Sequence, residues 1–289
     1  MDGFVNLLKP PGMTSSDAVV FLRRLLPKGV KTGHGGTLDP EAAGVLPICV
    51  GKATRLFDYF IDKEKEYIAE VCLGIETDTQ DATGHVVARR PGAPTAEQIE
   101  AALPALTGAI LQTPPAYSAL KRQGKRLYQL ARAGQAVQVE PRPVFVQSLD
   151  YLGPSGYNRH MLRVVCRKGV YVRTLMRDLG EMLGCGGHMS FLLRARAGCF
   201  ALDGAITLEE LARPGALEGA LYPLDAPLAH LPQARLAGRW RRPASHGNPV
   251  PAPDGLNPGE LARVYVEDDF AGIAQAGEDG LLRFKAMLL

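Results

Sequence analysis

The chain is poor in the features that staple small proteins or anchor membrane proteins. It has five cysteines in 289 residues: Cys49, Cys72, Cys166, Cys185 and Cys199. Their number is odd and no C-x-x-C pair occurs, which argues against a disulfide framework or a four-cysteine zinc site. Cys185-Gly186-Gly187-His188 has a C-x-x-H spacing, but no second pair lies near it in the sequence, and no metal is expected there. No apolar run approaches the ~18 residues that a membrane helix needs. The N-terminal Met1-Asp2-Gly3-Phe4 lacks the basic and apolar segments of a leader. A net charge of +3 is too small to drive polyanion binding globally, so any such binding must come from local patches. There is no internal repeat. These absences leave a soluble cytoplasmic protein with reduced thiols as the expectation, and 46% hydrophobic residues suffice for a large core.

What is present is a mixture of strand and helix signals. Gly3 to Lys9 is short and apolar and breaks at Pro10-Pro11-Gly12, as a strand running into a turn does. Thr14 to Asp17 offers N-cap chemistry ahead of a predicted helix over Ala18 to Leu26. Val45 to Val50 and Glu66 to Leu73 are predicted strands, and Arg55 to Ile61 a helix. Thr95-Ala96-Glu97-Gln98 is a capping box before a predicted helix ending near Leu106. Phe145 to Leu152 and His160 to Cys166 read as strands separated by a turn at Gly153-Pro154-Ser155-Gly156, and Val170 to Leu183 as a helix stopped by Gly184. The absence of a regular βαβ rhythm favours α+β over a doubly wound sheet. After a Pro-, Gly- and Asn-rich stretch from Pro243 to Pro258, three short strands are predicted over Leu261 to Val266, Ala271 to Gln275 and Leu281 to Leu288, so residues 230–289 read as a small β-rich domain.

The run from His34 to Pro47 is chemically the most pointed. It sets a single aspartate, Asp39, in a loop of glycines and prolines, where the backbone can turn sharply and approach a ligand closely. A turn aspartate before proline is also common without any function. A phosphate cradle is a further reading, but GxxxxGK[ST] is not met: Ala53 follows Gly51-Lys52 and Leu46 stands where the first glycine belongs.

The full string from His34 to Arg55, HGGTLDPEAAGVLPICVGKATR, resembles the catalytic motif of the TruB family of tRNA pseudouridine synthases. Further blocks resemble that family in the same order: Leu8 to Ser15 with its Lys-Pro pair, Lys65-Glu66-Tyr67, Gln112 to Arg126, and Lys168 to Arg173. The resemblance implies a pseudouridine synthase fold, with a mixed and mainly antiparallel sheet around a central cleft. It implies a catalytic domain over residues 1–229, with a basic insertion at about 121–145, and a PUA-like β-barrel over 230–289. The implied reaction is isomerisation of uridine 55 in the T loop of tRNA after the base is flipped out, with no cofactor and no metal. On this resemblance Asp39 is the nucleophile, Arg173 its ion-pair partner, and Tyr67 stacks on the base and moves a proton at C5. His34, Tyr171, Leu192 and Lys9 are implied at the substrate.

RNA contacts are expected from Lys121, Arg122, Lys125, Arg126, Arg132 and Arg142, with Tyr128 interleaved, and further from Arg235, Arg239, Arg241 and Arg242. The expected partner is the T stem-loop of tRNA, and the enzyme is expected to be a monomer. Two rivals stay open on residues alone: a non-catalytic RNA-binding protein on the same fold, and a phosphate-loop hydrolase weakened by the failed motif.

Overall fold

The computed structural model describes residues 1–60, 64–115, 117, 121–122, 125–126 and 139–289. In chain order its strands are β1 (Gly3–Lys9), β2 (Thr32–His34), β3 (Ala43–Val50), β4 (Lys65–Leu73), β5 (Ile75–Thr77), β6 (Val86–Arg89), β7 (Gly108–Gln112), β8 (Lys121–Arg122), β9 (Lys125–Arg126), β10 (Arg142–Gly156), β11 (Arg159–Cys166), β12 (Gly187–Ala197), β13 (Phe200–Ala201) and β14 (Leu221–Tyr222). Five more follow: β15 (Gln233–Leu236), β16 (Val250–Pro251), β17 (Leu261–Val266), β18 (Asp269–Ala276) and β19 (Leu281–Met287). The larger helices are Ser15–Leu25, Ala96–Ala102 and Val172–Met182.

Ten strands form one sheet, ordered β14-β1-β3-β12-β4-β11-β10-β7, with β2 on β3 and β13 on β12. The pairings within it are antiparallel except one. β12 runs parallel to β3 over a short contact, Leu193 opposite Ala43 and Arg194 opposite Gly44. Two antiparallel half-sheets therefore meet at a two-residue joint, and the Asp39 loop runs into that joint at the start of β3. This is the mixed, mainly antiparallel sheet expected of an α+β chain. A core of apolar side chains from β1, β3, β4, β11 and β12 packs against helices Ser15–Leu25 and Val172–Met182. Both the first and the Ala96–Ala102 helix begin on reciprocal capping boxes, Thr14 with Asp17 and Thr95 with Gln98, because a hydroxyl and an acceptor three residues apart satisfy each other's orphan N–H groups.

The last five strands form a second sheet, β15-β17-β18-β19-β16, whose pairing does not close on itself. It joins the first through a shared apolar cluster that includes Phe4, Phe60, Phe200 and Leu288. Lys52 Nζ donates to the Leu288 carbonyl at 2.6 Å, and Arg55 Nη1 to that of Met287 at 2.8 Å.

Three local expectations are revised. The chain does not turn at Gly153 to Gly156. β10 continues through them, register shifts absorb the proline and glycines, and the reversal comes at Tyr157-Asn158, where Asn158 takes φ 52°. The helix from Ala96 stops at Ala102 and gives way to a 3₁₀ turn over Leu103–Leu106, because Pro104 has no N–H to donate. Arg55 lies in a 3₁₀ turn, Gly51–Leu56, which runs into a single helical turn, Phe57–Phe60.

Gly44 marks the tightest approach at the joint. Its φ is +114°, and a Cβ there would lie 2.3 Å from the Arg194 carbonyl oxygen, a backbone atom that cannot swing away. Gly44→Ala is expected to lower unfolding free energy by about 2–4 kcal/mol. Gly184→Ala, at φ +76° with open space around it, should lose only about 1 kcal/mol. Urea denaturation of both variants measures this, and equal losses would contradict the steric argument.

Candidate active site

The site forms where three local structures converge on one guanidinium. Arg173 lies in the first turn of helix Val172–Met182 and is only 5% exposed. Burying a cation at the positive end of a helix is unfavourable unless negative charge surrounds it. The first carboxylate comes from Asp39: Arg173 Nε stands 3.0 Å from Oδ2, and Nη2 donates to Oδ1 at 3.3 Å. The hydrogen bond runs through Nη2, while Nε stands at ion-pair distance without a hydrogen bond of its own. The second carboxylate is Asp81, 3.3 Å from Nη1. The carbonyls of Thr79 and Tyr117 complete the shell at 3.3 and 3.0 Å.

Asp81 is a site residue that the sequence reading missed. It sits in the hairpin turn between β5 and β6, and its Oδ1 accepts from the Thr79 hydroxyl at 2.7 Å, the Thr83 hydroxyl at 2.6 Å and the Thr83 N–H at 3.0 Å. Its other oxygen is thereby left to Arg173. The signal was present as an aspartate bracketed by two threonines, which also describes an ordinary turn. Gln80 next to it takes φ 64°, and Thr174 on the helix donates to its side chain at 2.9 Å, which ties the turn to the helix that carries Arg173.

The start of that helix is itself pinned. Gln112 at the end of β7 donates to the Tyr171 carbonyl at 3.0 Å and accepts from the Tyr171 N–H at 2.7 Å. Arg142 donates to the Gly169 carbonyl at 2.7 Å, and its guanidinium lies 5.2 Å from the centre of the Tyr171 ring. Arg142, expected to contact RNA, braces the turn before Arg173 from its position in β10.

Lys9 braces the loop from the other strand. It was expected at the substrate, but it is fully buried, and its ammonium donates to the carbonyls of Pro10 (2.8 Å), Met13 (2.6 Å) and Pro40 (3.0 Å). Burial pulls its pKa down to about 8, against the opposing pull of Glu41 and Asp39. Its bond to Pro40 links β1 to the residue after Asp39. Ser15 braces the other side, accepting from the Leu38 N–H at 2.8 Å and donating to the Leu38 carbonyl at 3.0 Å.

Tyr67 and Leu192 share one face of the central sheet. Residues two apart on a strand point the same way, so Tyr67 and Ala69 on β4 face with Leu192 and Arg194 on β12, Ala69 being paired with Leu192 and Tyr67 with Arg194. Tyr67 and Leu192 are both buried, in the same apolar cluster as Leu38 and Ala42 of the loop. Arg194, also missed in the sequence, lies beneath them without solvent exposure.

His34 lies in a separate recess. It ends β2, opposite Ile48, and lines a cavity of about 860 Å³ together with Arg23, Arg24, Lys28, Lys31 and Phe57. None of the residues lining it is acidic. These four cations were not singled out from the sequence. Of the expected RNA contacts, Lys121–Arg122 and Lys125–Arg126 form a small antiparallel ribbon, β8 with β9, while Arg132 and Tyr128 lie outside the described residues. In the second sheet, Arg235 pairs with Asp268 at 3.7 Å and Arg241 with Asp269, which leaves Arg239 and Arg242 outside that acidic run. Among the described residues no group of His, Cys, Asp and Glu could hold a metal, and no helix is long and apolar enough to cross a membrane.

The chain matches two family descriptions: "TruB family pseudouridylate synthase (N terminal domain)" over residues 23–172, and "tRNA pseudouridylate synthase B C-terminal domain" over residues 173–229. It is similar to the tRNA pseudouridine synthase B of Aromatoleum aromaticum, 46% identical over 290 residues that cover 100% of this chain and 93% of the relative. It is likewise similar to that of Moorella thermoacetica, at 47% over 294 residues, 96% of this chain and 94% of the relative. Among solved structures, a Cbf5–Nop10–Gar1 complex aligns with TM-score 0.72 and 29% identity over 95% of this chain and 78% of that one. An archaeal box H/ACA sRNP Nop10–Cbf5 complex gives 0.73 and 25% over 99% and 86%.

The carboxylate pair has an electrostatic consequence. Burial pushes the Asp39 carboxyl above its ordinary range; Arg173 opposes this and the Asp81 carboxylate adds to it. Asp39 is thus ionised only above a raised pKa, and losing a like charge must lower that pKa. Asp81→Asn is expected to move the Asp39 titration midpoint to lower pH, followed by the ¹³C shift of its carboxyl. A midpoint that stays or rises would show that Asp81 does not act on Asp39.

Proposed function

Because the chain belongs to the TruB family of pseudouridylate synthases, we propose that it converts a uridine of tRNA to pseudouridine, and that this uridine is position 55 in the T loop. The observation that carries the reading is the ion pair between Arg173 and Asp39: a carboxylate whose side chain is 37% exposed, met by a guanidinium that is itself shut away from water. In this reading Asp39 is the nucleophile and attacks C1′ or C6 of the flipped-out nucleotide. The C1′–N1 bond breaks, the uracil turns within the pocket, C1′ bonds to C5, C5 loses its proton and N1 gains one. The carboxylate is restored when its bond to the nucleotide breaks, so no atom is gained or lost and no oxidant is needed.

The other side chains take supporting roles. Tyr67 stacks on the base and moves the C5 proton, Leu192 walls the uracil, Tyr171 lines the cleft, and His34 holds the displaced nucleotide. A closed apolar wall keeps the detached uracil from escaping. Arg173 opposes the upward push that burial and the Asp81 carboxylate exert on the Asp39 carboxyl. The enzyme acts as a monomer in the cytoplasm, where its substrate is. Residues 1–229 carry the chemistry, and 230–289, as a PUA-like unit, add RNA contacts from the face that bears Arg239 and Arg242.

The T arm is gripped on two sides: by the ribbon of Lys121, Arg122, Lys125 and Arg126, and by the cavity rim of Arg23, Arg24, Lys28 and Lys31 beside His34. RNA hairpins are held largely through phosphates, so affinity should fall with salt in proportion to the cations engaged. Lys28→Glu with Lys31→Glu, and separately Lys125→Glu with Arg126→Glu, are each expected to weaken binding of a T-arm hairpin at least tenfold and to flatten the slope of log Kd against log salt. An unchanged slope removes that patch from the interface.

The target is tested by mapping pseudouridine in unmodified tRNA before and after incubation with the protein. One new pseudouridine in the T loop is expected. Conversion elsewhere, with the T loop untouched, would overturn the assignment of position 55.

A further inference from the structure

Arg194 is the largest fully buried side chain among the described residues, and no described carboxylate lies within ion-pair distance of it. Its guanidinium is satisfied by backbone oxygens, all from the loop that carries Asp39. Nε donates to the Val45 carbonyl at 2.7 Å, Nη2 to that of Gly36 at 3.1 Å, and Nη1 to that of Thr37 at 3.5 Å. Gly36 and Thr37 precede Asp39 and Val45 follows it, so one planar group ties both ends of the loop. The backbone at Arg194 closes the same loop a second time, since it pairs with Gly44 across the parallel joint. On the opposite neighbour strand its cross-strand partner is Tyr67.

We propose that Arg194 is a positioning residue for the reaction: its guanidinium holds the two ends of the Asp39 loop at a fixed distance from Tyr67, and so sets the spacing between nucleophile and pocket aromatic. This rests on the reading of Asp39 and Tyr67 given above. The choice of arginine follows from the geometry, because only a rigid fork presents several N–H groups in fixed directions, and a lysine ammonium is a point donor. A buried cation without a carboxylate is costly as a stability device. Here its charge also has a use, since it faces the Tyr67 hydroxyl and opposes the upward push of burial on the phenol.

The test uses Arg194→Lys and Arg194→Gln in the full-length protein, with Asp39→Asn and Tyr67→Phe beside them. Misplacing reacting groups by about 1 Å costs about 100-fold in rate. Arg194→Lys should therefore lose at least about 100-fold in kcat, with KM for a T-arm hairpin and the urea midpoint little changed, and Arg194→Gln should lose more, because it lacks the charge. In a Tyr67→Phe background the further loss from Arg194→Lys should shrink, because part of its effect passes through the hydroxyl. A kcat for both Arg194 variants within threefold of the parent, losses fully additive with Tyr67→Phe, or loss of the fold in both variants would each overturn the assignment. Substantial turnover by Asp39→Asn would instead overturn the underlying reading of the nucleophile, whatever the Arg194 variants do.

Discussion

The site depends on one constraint: a guanidinium withdrawn from water at the positive end of a helix is unfavourable unless negative charge meets it. Arg173 meets it by drawing in two aspartates from distant parts of the chain, Asp39 from the loop before β3 and Asp81 from the β5–β6 turn. Each carboxylate is delivered by its own braced turn. Lys9 and Ser15 hold the loop around Asp39, and Thr79 and Thr83 consume the oxygen of Asp81 that does not face Arg173. Removing either aspartate would leave the other to carry the whole compensation. The arrangement is therefore braced around Asp39 while leaving its carboxylate partly exposed.

The sheet makes this possible by being imperfect. An uninterrupted antiparallel sheet would offer no gap for a loop to enter. Here the two halves touch in parallel for two residues only, Leu193 with Ala43 and Arg194 with Gly44. The Asp39 loop occupies the opening, and two buried cations, Lys9 on β1 and Arg194 on β12, fasten it from the two half-sheets. Both bond backbone carbonyls of the loop rather than carboxylates. The loop is thus held by its peptide groups, and the Asp39 carboxylate is left to Arg173.

Much of this was legible in the sequence where the determining interactions are local. The two capping boxes are read from residues three apart, the strand ending at Pro10 from its proline, and the sharp turn around Asp39 from its glycines. The family resemblance then assigned roles to Asp39, Tyr67 and Arg173, and the fold brings Asp39 and Arg173 into contact. What escaped is what only tertiary burial decides. Arg194 in a strand and Arg142 beside a basic stretch look like solvated cations until the sheet closes over the one and the helix start stacks on the other. Nothing local in Lys9-Pro10 announces the three carbonyl partners that its buried ammonium meets. Asp81 escaped because its turn is commonplace, and nothing local says that a helix 90 residues away will present a guanidinium to it.

The central claim is that Asp39 performs the reaction as a nucleophile rather than by holding RNA. It is tested most directly by single-turnover release of tritium from a T-arm hairpin carrying [5-³H]uridine at the target, since the new bond to C5 expels that atom. With saturating Asp39→Asn and binding verified in the same samples, the account predicts full complex formation and no release above background. Release at near the wild-type rate would contradict it.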